Sequence, residues 1–183
     1  MTRKNKKTSS WTDVKKIINS FDKKELIGLV GDLYRLSTAN KDFFHARFSI
    51  GVDPLKSYKR IIQNAIHPYL EDNETLDIER ANDAIKHYSK AIDDPRGEAE
   101  LMTFYVECGN NFTLSYGDID EDFYDSLLSM YEKAIDVIIE LPVNEQKAFI
   151  ERLHEVMTSA SGIGWGYYDG LCALYYKAFS ADD

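Results

Sequence analysis

A chain of 183 residues suits one domain of ordinary size, which buries about two-thirds of the surface exposed by its unfolded form and needs no staple to fold. Cys108 and Cys172 are isolated singlets without CxxC or CxxH spacing, which excludes a disulfide framework or a structural zinc site and points to a reduced, cytoplasmic setting. The net charge of −9 is strongly asymmetric: residues 1–70 hold 14 Lys and Arg against 6 Asp and Glu, a balance of +8, whereas residues 71–183 hold 8 against 25, a balance of −17. Either the basic third lies on the acidic remainder, or one of them faces an external macromolecule of opposite charge.

MTRKNKKTSS reads as a disordered basic tail over residues 1–10, and no apolar h-region follows it. No apolar run approaches the ~20 residues that span a bilayer, so no membrane partner is expected. A single helical domain is expected over residues 11–180. Ser10 or Thr12 caps a first helix, WTDVKKIINS. Asp22 and Glu25 form a capping box ahead of Leu26, Ile27, Leu29, Val30, Leu33, Tyr34 and Leu36, which keep helical spacing. NKDFFHARFSIG is a short third helix closed by Gly51, and Pro54 opens a fourth that Pro68 kinks or ends. DIERANDAIKHYSKAI is the fifth.

From Asp94-Pro95 a sixth helix runs through GEAELMTFYVECGNNF with little polar face, and DEDFYDSLLSMYEKAIDVIIEL is a long seventh stopped by Pro142. Helices apolar nearly all round belong in the interior, so these two are expected at the centre. NEQKAFIERLHEVMTSAS and YYDGLCALYYKAF complete the series. With no convincing strand, the fold class is all-α: a compact irregular bundle of eight or nine helices. The 43-residue spacing of YSKAI and YEKAI lends it loose helical-hairpin-repeat character, but the tetratricopeptide pattern fails for want of its first-helix residues.

The glycine-dense stretch SASGIGWGYYDG lacks the strand context of a phosphate-binding loop. It reads as a connection in which Gly162 is left-handed, Gly164 and Gly166 permit a tight turn and Trp165 inserts into the core, with Asp169 as first-turn charge. Glu151 and His154 imitate half of a di-iron motif, as do Asp42 and His45. Helical phase turns Glu151 and His154 away from the apolar face, so no metal or other cofactor is expected. Asp118, Asp120 and Asp122 begin like a calcium loop, but Phe123 stands where glycine is required, and they read as capping charge. Cys108 reads as an inert core thiol.

One pair sustains a catalytic alternative. Arg80 and His87, two turns apart, fall within the loose Arg-x4-6-His spacing of the HEPN ribonucleases, all-α dimers that cleave RNA without metal, and they share a stripe with Ala84 and Ala91.

Three stretches carry a wider resemblance: KKELIGLVGDLYRLSTANKDFFHARF, then ELMTFYVECGNNFTLSYGDIDEDFYDSLLSMYEKAI, then GIGWGYYDGL. In order and spacing they resemble a bacterial family, domain of unknown function 6155, with YGDIDEDFY and GWG-x-x-D as the most specific parts. The resemblance implies a cytoplasmic, helical, single-domain protein and carries over no catalytic residue. The function expected is thus a non-enzymatic interaction domain, an adaptor or scaffold that binds another protein or itself. Nucleic-acid binding through Arg3 to Lys7, Lys15, Lys16, Lys56, Lys59 and Arg60 is the main alternative. Asp118, Asp120, Asp122, Trp165 and Asp169 complete the candidate binding residues.

Overall fold

The computed structural model describes residues 10–70 and 74–179. The tail with Arg3 to Lys7 lies outside them. Among the described residues are nine helices and no strand: α1 (Trp11–Ile18), α2 (Lys23–Leu36), α3 (Thr38–Arg47), α4 (Lys56–Ile66), α5 (Ile78–Ala91), α6 (Pro95–Tyr116), α7 (Glu121–Ile139), α8 (Val143–Ser159) and α9 (Tyr167–Phe179). The all-α expectation is met.

Local chemistry sets most helix starts. The Asp22 carboxylate accepts from the Glu25 backbone N–H at 2.8 Å while Glu25 accepts from the Asp22 N–H at 2.8 Å, the reciprocal box expected for α2. Asp77, Asp94 and Asp120 cap α5, α6 and α7 by accepting from the N–H groups of Arg80, Gly97 and Phe123. The third and fourth helices depart from expectation. α3 ends at Arg47, four residues before Gly51, because Ser49 already takes a left-handed φ of 50°. Pro54 lies in a turn ahead of α4, where the Asp53 side chain accepts from Leu55 N–H at 3.0 Å.

The chain divides into two compact units, residues 1–44 and 45–183. In the first, none of residues 10–44 is buried. It is held by local contacts: Asn40 Nδ2 donates to the Leu33 carbonyl at 2.6 Å, and the rings of Tyr34 and Phe44 lie 6.0 Å apart.

The second unit has a dense core built around α6, which buries twelve of its 22 residues and packs against α4, α5, α7 and α8. Its tightest partner is α7, at a crossing where Gly109 leaves room for Leu127. These are the two helices expected at the centre. Tyr88, Tyr105, Tyr124, Tyr131 and Tyr167 are fully buried, and most of their hydroxyls are satisfied internally. Tyr131 donates to the Leu153 carbonyl at 3.0 Å, Tyr105 meets Ser126 at 2.6 Å, and Tyr88 donates to Asp94 at 2.7 Å. Much of the tyrosine content therefore serves packing.

Candidate functional site

The glycine-dense stretch connects α8 to α9. Gly162 and Gly166 have positive φ angles of 90° and 69°, and the expected left-handed Gly162 is present. Trp165 is a correction. Its own φ of 61° turns the indole outward, and it is 56% exposed instead of inserted in the core. The space beside Gly162 and Gly166 is open, with no protein atom within 4 Å of where a Cβ would stand. Asp169 sits exposed in the first turn of α9.

Asp118, Asp120 and Asp122 do not converge on a common point. Asp120 is spent on the α7 cap, Asp122 is exposed first-turn charge, and Asp118 accepts from the Tyr124 hydroxyl at 3.4 Å. Glu151 and His154 face outward, Glu151 beside Lys147 at 3.7 Å and His154 against the Tyr175 ring. No group of three potential metal-ligating side chains comes together among the described residues.

Arg80 and His87 do line one hollow, of about 430 Å³, over the small Ala84. Asp77, Glu79 and Asp83 line it too, so its carboxylates outnumber its cations, an environment that repels a phosphodiester. The basic candidates are dispersed. Lys15 and Lys16 are exposed in the last turn of α1; Lys56 and Arg60 are exposed on α4. Lys59, between them, turns inward: it meets Glu100 at 3.0 Å and Asp53 at 3.7 Å, with its ammonium over the Phe104 ring.

That inward turn is part of a polar seam joining α4, α6 and α8 that sequence reasoning missed. Arg152 of α8 reaches Glu100 through Nη1 at 2.6 Å, and Glu107 through Nε at 2.6 Å and Nη2 at 2.8 Å. The result is an alternating chain: Asp53, Lys59, Glu100, Arg152, Glu107. Burial pushes the Glu100 carboxyl up, but hydrogen bonds and charge from Arg152 and Lys59 outweigh it and hold the group below its ordinary value. Arg152 behaves reciprocally. Its burial disfavours the charge, while the two carboxylates raise it further above its already high value. The signal in the sequence is that Glu100 and Glu107 stand two turns apart, at either end of the largely apolar run 101–106.

Beside this seam opens a hollow of about 580 Å³ between α4, α6 and α8. Its walls include Gln63, Phe104, Asn110, Asn111, Glu155 and Val156. Cys108 also borders it, but burial and the Glu107 charge push the thiol up to about 12, so it is a thiol and not a nucleophile at neutral pH.

In the first unit the candidate surface is apolar. Trp11, Val14 and Ile17 of α1 are 68%, 45% and 62% exposed, and Ile27, Val30, Leu33 and Leu36 of α2 are exposed with them. At 100° per residue the α1 set falls on one stripe and the α2 set on one broad face. Among the described residues the closely packed helix pairs lie in the second unit, and these apolar side chains of α1 and α2 stay exposed.

No curated protein and no solved structure matches this chain. Residues 9–176 match a family model, as the YGDIDEDFY and GWG-x-x-D segments led one to expect, and the chain belongs to that family of unknown function, DUF6155.

Proposed function

We propose that this is a non-enzymatic scaffold that self-associates through the apolar faces of α1 and α2. The observation that carries the reading is the first unit's lack of any buried residue among 10–44 despite a strongly amphipathic sequence. Helices of this kind are stable only when their apolar stripes are covered. The exposed apolar side chains of the two helices amount to a surface on the order of 800 Å², what each partner of a standard stable complex buries.

Across the helices themselves, charge favours a second copy over a polyanion as the occupant: residues 10–44 carry six basic and five acidic side chains, and the positive excess of residues 1–44, ten basic against five acidic, comes from Arg3, Lys4, Lys6 and Lys7 ahead of α1. Lys15 and Lys16 lie in the same helix as Asp13, and Lys23 and Lys24 in the same helix as Glu25 and Asp32, an interleaving that suits isologous pairing better than a phosphate backbone. Two helical pairs brought together by a two-fold axis make a four-helix arrangement.

The test is the mass of the full chain by light scattering across a dilution series, beside Trp11 emission in a Trp165→Phe background. Self-association predicts a dimer and a blue shift of Trp11 as it forms. Ile17→Asp with Ile27→Asp should give a monomer that keeps the helical circular dichroism of the second unit and loses at most that of α1 and α2, since both side chains are exposed before association. A chain that stays monomeric at every concentration refutes the proposal, whether Trp11 is then solvated or covered by its own chain.

A further inference from the structure

We draw no further inference here: the strongest candidate, the surface patch where the α8–α9 connection with its exposed Trp165 meets Asp118 and the acidic first turn of α7, is an aromatic side chain beside an acidic cluster, and nothing in the structure shows what covers it.

Discussion

Gly109 and Leu127 set how closely the two central helices approach. A Cβ at Gly109 would collide with Leu127, which is fully buried and has nowhere to move. Gly109→Ala should therefore destabilise the second unit by about 1–3 kcal/mol, the range for forcing a methyl into a packed interior. Gly170 offers the control: its Cβ would come 2.8 Å from Leu128 Cδ2, but Leu128 is half-buried and can change rotamer. Gly170→Ala should cost much less, and urea denaturation of the two variants measures the difference. Neither glycine was legible as a contact, because a glycine in a helix sequence shows the absence of a side chain and not what fills its place.

Among the helices, what could be read in advance was what is local. Asp22, Asp77, Asp94 and Asp120 announce their helices because a cap is settled within four residues of chain. Ser49 was not legible as a stop, since a serine takes a left-handed φ only where tertiary context compels it. The same limit hid the outward turn of Trp165. It also hid the seam, whose members come from sequence positions as far apart as Asp53 and Arg152.

The seam ties α4 and α8 to α6, and its effect on stability depends on pH with a definite sign. Glu100 has a folded value below its unfolded one of about 4.3, so its contribution is complete above that value and disappears as acid carries the pH through the lower folded value. Glu100→Gln should cost about 1–3 kcal/mol at neutral pH, because it removes charge-assisted bonds to both Lys59 and Arg152. In strong acid the variant and the parent should converge. Denaturation midpoints taken across a pH series test this.

At the scale of the molecule the contrast is between a unit built on a buried helix and a unit with no interior among its described residues. Amphipathic spacing in the sequence exposed the apolar faces of α1 and α2 to view but not their cover, because periodicity reports a face and not its neighbour. Fold class was legible for the opposite reason: nine periodic segments bounded by caps and prolines leave few alternatives. The interaction surface was legible only as composition. Of the twelve tyrosines, five are fully buried in the core, and the exposed apolar surface of the first unit belongs mainly to tryptophan, isoleucine, leucine and valine.

The coreless first unit has a consequence for the protein's lifetime. A segment with no buried side chain opens at little cost, so its amides should exchange with solvent orders of magnitude faster than those of α6 and α7. Limited trypsin digestion of a dilute sample should trim the chain back to a resistant fragment beginning near Arg47, while a concentrated sample, its α1 and α2 covered by a second copy, should survive intact. Cleavage that ignores concentration would contradict this. Where it holds, abundance itself becomes the protecting factor: below a threshold number of copies, proteolysis outruns pairing, and the chain is lost from its N-terminal end first.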